Sequence, residues 1–303
     1  MISVLIGSRN RAKVLVRCLE AVLNQEDVDL EVVVLDDGST TPYATELAGR
    51  YANLPVRFLR ADVPLGVAGG RNFLMREARG DIFVVVDDDA VFADNRALFK
   101  IQETFFQHQD VGIVALKIVD HRDGREDLLI PFSRRDRLKD RGLANKTQLV
   151  SYYLGGGHAL RRTVWERLGG YQEGLVFGEE EADLSYRAIR EGFKILYVPD
   201  VVVHHYPEPS VVACGHWSHR GELFYHVRNR LYLAYKYLPL VYGPVYVGIW
   251  LSRYLIRSIR LGQFRDYCAG VLSGLLWLKS VKREPLDANA IAYLKQHFGR
   301  LWY

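Results

Sequence analysis

Three consecutive aspartates, Asp87, Asp88 and Asp89, follow the apolar run Ile82 to Val86 in "GDIFVVVDDDAVF". The run reads as a buried strand, with the acids at its mouth. Neighbouring carboxylates repel by about 1–3 kcal/mol at effective dielectrics of 20–80. A hard divalent cation turns that repulsion into coordination, because it takes carboxylate oxygens as ligands. If the strand continued, Asp87 and Asp89 would point one way and Asp88 the other. A solvated turn is the bland alternative, and the core strand directly before the acids argues against it.

Other stretches carry the same duality. "VVVLDDGST" ends a second apolar run with Asp36 and Asp37. They could accept from a base or a ribose hydroxyl, or close a turn capped by Ser39 or Thr40. In "PLGVAGGRNFLMREARGD" glycines permit close backbone approach, and Arg71 could pair with a diphosphate. It is neither GxGxxG with a downstream acid nor GxxxxGK[ST], so dinucleotide and P-loop readings are weak. "FGEEEADLSYR" crowds Glu179, Glu180, Glu181 and Asp183 at a helix start. Acids there stabilise the helix by about 0.3–1 kcal/mol each, but a poised general base is the functional alternative. "VVVHHYPEP" places His204 and His205 after an apolar strand, as metal ligands or as structural histidines.

These residues need a scaffold. "ISVLIG", "LEVVVLD", "PVRFLRA" and "DIFVVV" read as strands, separated by helical patterns at "AKVLVRCLEAVLNQ", "TPYATELAGRY" and "GVAGGRNFLMREARG". Short apolar runs between helices of 10–15 residues imply βαβ units and a mostly parallel sheet. Such sheets bind ligands at the carboxyl ends of their strands, where both acidic runs lie. Further on, "VGIVALKIV" reads as strand, and "GGGHALRRTVWERLGGY" as turn, short strand and helix. "EEEADLSYRAIREG" reads as helix and "FKILYVPDVVVHH" as strand. The polar, basic stretch 121–148 has no clean period and reads as a loop or flap.

The 303 residues can bury a large core, and a net charge of +4 with 25% charged residues is ordinary for a folded soluble chain. Cys18, Cys214 and Cys268 are odd in number and in no ligand pattern, which favours a reducing compartment over a disulfide framework. The N-terminal "MISVLIGS" lacks the basic and long apolar regions of a signal peptide. No uncharged apolar run reaches the roughly 20 residues of a membrane span. "YLPLVYGPVYVGIWLS" is the nearest, and Pro239, Gly243 and Pro244 break it. From His226 to Arg283, Asp266 is the only acid among ten Arg and Lys residues, with Tyr, Trp and Leu between them. The change in composition divides the chain into 1–212 and 213–303, the second expected to be a basic, aromatic-rich helical extension. That extension would lie on an anionic membrane surface, or pack as a helical cap or homodimer contact. No recognition motif for nucleic acid accompanies the charge.

In this order, the quoted stretches together with "VLIGSRNRAKVLVRCLEAVLNQ" resemble glycosyltransferase family 2, the inverting enzymes of GT-A fold. The likeness covers about residues 2–210, and "FYHVRNRLYLAYKYLP" resembles its rhamnosyltransferase-like branch. The resemblance implies that residues 1–212 form a nucleotide-sugar-binding and catalytic domain, a Rossmann-like, mostly parallel α/β sheet flanked by helices. It implies a divalent cation, Mn²⁺ or Mg²⁺, a UDP-, dTDP- or GDP-linked sugar donor, and a glycan or lipid-linked acceptor. The setting would be cell-surface polysaccharide or glycolipid synthesis at the cytoplasmic face of a membrane. Gly7, Ser8 and Arg9, with Asp36 or Asp37, would hold base and ribose, and Arg71 would approach the diphosphate. Asp89 would contact the metal directly, with Asp87 its DxD partner and Asp87 or Asp88 near the ribose and sugar. His204 matches the late metal-binding histidine, with His205 the close alternative. Alignment on Asp183-Leu184 puts Glu180-Glu181 at the acidic pair that holds the base, so Glu181 is the expected base. The sequence departs from the family pattern in using Glu there, in the extra Glu179, and in opening with Gly-Ser-Arg-Asn. Two competitors are a haloacid-dehalogenase-like phosphatase, which lacks a convincing downstream Lys and Asp set, and a non-catalytic nucleotide-sugar-binding module.

Overall fold

A computed structural model describes residues 1–207 and 221–302. A mixed sheet of ten strands forms its centre. The order along it is β3 (Val56–Arg60), β2 (Leu30–Asp36), β1 (Ile2–Ser8), β4 (Ile82–Val86), β9 (Gly157–Arg161), β6 (Val111–Asp120), β10 (Lys194–His205) and β5 (Ala90–Phe92). β7 (Asp127–Leu129) pairs with β6, and β8 (Gln148–Val150) with β10. β1 to β4, β6 and β10 run one way. β5, β7, β8 and β9 run against them. The expected mostly parallel α/β architecture is the one observed.

Period-2 alternation divides the core between the two sheet faces. Val4 and Ile6 of β1, Val34 of β2 and Val84 of β4 enter one cluster, covered by α1 (Ala12–Leu23), α2 (Tyr43–Tyr51) and α4 (Ala97–Gln107). Leu5, Val33, Phe83 and Val85 enter the other, covered by α3 (Gly66–Glu77), α6 (Arg162–Leu168) and α7 (Glu180–Arg190). Continuous apolar strands are what burial on both faces requires.

The 121–148 stretch departs from the expected loop. It contains β7, the helix α5 (Arg134–Lys139) and two 3₁₀ turns. Ser133 and Asp136 make a capping box at the start of α5, each side chain accepting from the other's backbone N–H. That Ser-x-x-Asp signal stands in the sequence, but a six-residue helix is too short to show a period.

The C-terminal helices are α8 (Glu222–Tyr237), α9 (Gly243–Arg260), α10 (Phe264–Leu278) and α11 (Ala288–Gln296). Tyr232 and Tyr237 of α8 and Leu294 of α11 belong to the same core as Leu5 and Val33 of the sheet. Pro244, which breaks the apolar run in sequence, stands in the first turn of α9, where its missing N–H costs nothing. Between residues 207 and 221 lie the expected domain boundary at 212/213 and Cys214, outside the described residues. Cys18 is buried and Cys268 exposed, both as free thiols.

α8 also meets α7 through a charge. Asp183 is 0% exposed. Its Oδ2 accepts from Arg187 at 2.8 and 2.5 Å, and its Oδ1 from the hydroxyls of Tyr237 at 2.6 Å and Tyr232 at 3.2 Å. Removing one partner of a buried ion pair costs about 3–5 kcal/mol. Asp183→Ala is therefore expected to lower the melting temperature by roughly 6–20 °C. A calorimetric scan checks this, and an unshifted transition contradicts a structural role for Asp183.

Candidate active site

The carboxyl ends of β1, β2, β4 and β10 converge on a cleft of about 340 Å³. β4 ends at Val86, and β5 begins at Ala90 after the three aspartates. β5 pairs antiparallel with the end of β10, so Ala90 faces His205, and the Tyr206 N–H donates to the Asp89 carbonyl at 3.0 Å. This pairing folds the acidic turn over the last residue of β10. His205 Nε2 lies 3.0 Å from Asp89 Oδ1 and 3.9 Å from Asp87 Oδ2. One ligand atom each from Asp87, Asp89 and His205 lies within 4.8 Å of the others. Asp88 points elsewhere. It accepts from Ser8 Oγ at 2.6 Å and from Arg11 Nη1 at 2.6 Å. Arg11 also donates to Asp89 Oδ2 at 2.7 Å.

The charges follow from these contacts. Burial opposes ionisation of Asp89, but His205 and Arg11 outweigh it and hold the carboxyl down to about 2. Burial also disfavours a His205 cation, yet Asp89, Asp87 and Asp120 push it up to about 9. Burial, offset only in part by Arg11, pushes Asp88 up to about 7. Asp87 is raised by burial and then by Asp89. Its side chain is 43% open to the cleft. Asp89 Oδ1 is buried and accepts no well-aligned hydrogen bond.

The four acids around the start of α7 have four environments. A turn with left-handed backbone at Val176 (φ 62°), Gly178 (φ 74°) and Glu179 (φ 73°) leads into the helix. A Cβ at Gly178 would stand 2.9 Å from the His226 ring, so glycine is needed there for space as well as conformation. Glu179 pairs with Arg230 at 2.7 Å and His226 at 3.2 Å, away from the cleft. Glu180 is buried, and burial, then Glu181, push its carboxyl up to about 8. Glu181 Oε1 accepts from Arg71 Nη1 at 2.8 Å. Asp183 lies in the core. Gly155 and Gly156 pass beside the acids. A Cβ at Gly155 would stand 2.1 Å from Glu181 Oε1, and one at Gly156 3.2 Å from Asp87 Oδ2. One dipeptide thus borders both groups.

Gly7, Ser8, Arg9, Asp37, Arg71, Asp87, Asp88, Asp89, Glu180, Glu181 and His205 all line the cleft. Three expected residues do not. His204 alternates to the other side of β10, where its Nδ1 meets His121 Nε2 at 2.8 Å, so His205 and not His204 joins the aspartates. Asp36 folds back to accept from the N–H groups of Ser39 and Tyr43 and from Arg60, and so caps the β2–α2 connection. Asp183 is enclosed as described. Arg71 is present but turned toward Glu181 and the Gly155 carbonyl. Two contributors escaped the sequence reading. Arg11 stands within the quoted "VLIGSRNRAKVLVRCLEAVLNQ", where nothing local marks it out from Arg9. Asp120, at the end of β6, holds His205 Nδ1 at 2.7 Å; its only sequence signal is that it is an acid closing an apolar strand.

A family model described as "Glycosyl transferase family 2" matches residues 3–169. The chain belongs to glycosyltransferase family 2. It is 23% identical over 278 residues to the succinoglycan biosynthesis protein ExoA of Rhizobium meliloti (strain 1021), covering 88% of this chain and 82% of that protein. It is 25% identical over 270 residues to the O-antigen chain rhamnosyltransferase WbaN of Salmonella anatum, covering 78% and 79%. Among solved structures, S. aureus TarS 1-349 in complex with UDP-GlcNAc superposes with a TM-score of 0.60 at 17% identity, covering 84% of this chain and 72% of that one. GalNAc-T7 with UDP, GalNAc and Mn²⁺ gives 0.58 at 20% identity, covering 77% and 50%. These likenesses carry the GT-A fold. Family membership displaces the phosphatase reading, and the chain is a glycosyltransferase with homologues in polysaccharide biosynthesis.

Proposed function

We propose that this glycosyltransferase is metal-dependent and inverting. In this reading it moves a hexosyl or deoxyhexosyl group from a UDP-, dTDP- or GDP-linked donor to a hydroxyl of a glycan or lipid-linked acceptor. The observation that carries the reading is the placement of Glu181 across one cleft from the Asp87–Asp89–His205 cluster. The donor set fits a divalent cation. It offers two carboxylates and an imidazole at close range, and Asp89 Oδ1 is a buried oxygen lacking an aligned donor. Asp87, Asp89 and His205 would hold Mn²⁺ or Mg²⁺, which would supply Lewis-acid stabilisation of the departing nucleoside diphosphate. Asp120 accepts from His205 Nδ1 and so fixes Nε2 facing the aspartates, where a bound cation would take the place of its proton. Ser8, Arg9 and Asp37 line the end of the cleft where base and ribose would rest, beside Gly7, which has no neighbour within 4 Å of its Cβ position.

Glu181 takes the proton of the acceptor hydroxyl, which attacks the anomeric carbon from the face opposite the leaving group. Arg71 orients Glu181 through the 2.8 Å contact, while Glu180, raised to about 8 by burial and then by Glu181, keeps its proton at neutral pH and adds no second charge beside it. Release of nucleoside diphosphate from a panel of donors, with and without Mn²⁺, tests this. Metal-dependent release is expected with one donor class. Asp89→Asn should abolish it. Glu181→Gln should lose about 10²–10⁴-fold in transfer while retaining donor affinity by calorimetry. Metal-independent release, or near-normal transfer by either variant, refutes the assignment.

We further propose that the C-terminal helices seat the enzyme on the anionic cytoplasmic face of a membrane. α9 and α10 expose Ile256, Ile259, Phe264, Leu272 and Leu275 beside the exposed Arg257, Arg260 and Arg265. Among the described residues no helix is long and apolar enough to cross a membrane. Each basic residue near such a surface contributes about 1 kcal/mol. The protein is expected to float with vesicles containing phosphatidylserine and not with pure phosphatidylcholine, and Ile259→Glu/Leu275→Glu should abolish flotation. Unchanged partitioning of that variant sinks the proposal.

A further inference from the structure

A second cavity, of about 440 Å³, adjoins the cleft. The two share Gly155, Gly178, Glu181 and His226, so Glu181 stands at their junction. If Glu181 is the base, the acceptor hydroxyl reaches it from this second side. The far wall of the cavity is basic. It carries Arg137 of α5, Arg230 of α8, and Arg300, grouped around Tyr152. Arg300 Nη2 donates to the Tyr152 hydroxyl, and its guanidinium carbon lies 4.5 Å over the Tyr152 ring. Arg230 is neutralised by Glu179, and its Nη1 donates to the Tyr246 hydroxyl at 2.5 Å.

Two features ask for an acceptor-rich ligand. Arg137 Nε and Arg230 Nε are buried without a hydrogen-bond partner. Among the described residues Arg137 and Arg300 make no ion pair, so two guanidinium cations face the cavity with only the exposed Asp127 uncommitted among its lining acids. A guanidinium fork matches the geometry of phosphate or carboxylate oxygens, and a buried N–H without an acceptor is costly. Trp250, 4.1 Å from the Arg230 guanidinium, and Tyr152, 4.5 Å from that of Arg300, hold those two side chains against the wall.

We infer that the second cavity is an acceptor subsite for an anionic glycan acceptor, one whose phosphate or carboxylate group is held by Arg137 and Arg300 while a hydroxyl is presented to Glu181. This rests on the glycosyltransferase reading of Glu181 and names its acceptor class. The test uses the full chain with the donor cleft filled by the nucleoside diphosphate found in the donor screen. Glucose 1-phosphate, glucuronate and glucose are titrated as probes by calorimetry. One or both charged probes should bind at least tenfold more tightly than glucose, and which of the two is favoured separates phosphate from carboxylate. Arg137→Gln and Arg300→Gln should each lose about tenfold of that preference. Lys139→Gln, an exposed cation on the same helix, should leave it intact, and Arg137→Lys should restore part of it. Among the described residues Arg137 has no ion pair to lose, so its variants should fold, and a melting scan verifies this. Equal affinity for all three probes, or a preference untouched in both Gln variants, overturns the inference. If charge-selective binding, measured then without nucleotide, persists while no donor is turned over, the assignment of Glu181 as base fails and the anion site stands. If donor turnover persists without charge selectivity, the reverse holds.

Discussion

Three carboxylates at the end of a buried strand cannot all remain charged without compensation. This constraint organises the catalytic edge of the sheet. Asp87 and Asp89 face the end of β10, and Asp88 faces the loop after β1. Arg11 reaches across from the start of α1 to bridge Asp88 and Asp89. His205, oriented by Asp120, meets the other pair. Each element is therefore tied to the next through charge: β1 and α1 to the acidic turn, the turn to β10, β10 to β6. The arrangement gives an electrostatic reason for the close pairing of β5 with the last residues of β10. It also accounts for opposite shifts in two consecutive acids: His205 and Arg11 hold Asp89 at about 2, while burial pushes Asp88 up to about 7.

A second knot of acids repeats the problem at the start of α7, and there the C-terminal helices solve it. Arg230 and His226 of α8 take Glu179, and Tyr232 and Tyr237 of α8 join Arg187 on Asp183. Arg71 of α3 takes Glu181. With Glu179 and Asp183 held by these contacts, Glu181 is the acid of this knot that borders both cavities. The helices beyond residue 221 are thus part of how the site is built, whatever their outer surface touches. Their inner residues share one core with the sheet.

Much of this was legible. Apolar runs of four to six residues gave strands, the 3.6-residue period gave α1, α3 and α7, and strand ends located the acids. What failed was local in one case and non-local in the others. α5 and β7 are too short for periodicity, though Ser133 and Asp136 carried a cap signal. His204 against His205 turns on which face of β10 the acidic turn folds over, which the alternation Val201, Val203, His205 suggests only once that face is known. Asp36 and Asp37 are equivalent in sequence, but the turn at Gly38 sends one carboxylate into the chain and the other to the cleft. Arg11 with Asp88, and Arg71 with Glu181, are contacts across 77 and 110 residues. No local pattern encodes them.

The central claim is that Asp87, Asp89 and His205 form one cation site whose positive charge is otherwise supplied by Arg11 and a protonated His205. The most direct measurement is a crystal structure grown with Mn²⁺ and the nucleoside diphosphate, with anomalous scattering recorded at the manganese edge. The account predicts a single anomalous peak within coordination distance, about 2.0–2.3 Å, of Asp89 and His205 Nε2, with the Arg11–Asp89 contact lengthened. A peak on His204, a peak away from these side chains, or bound diphosphate with no peak at all would contradict it.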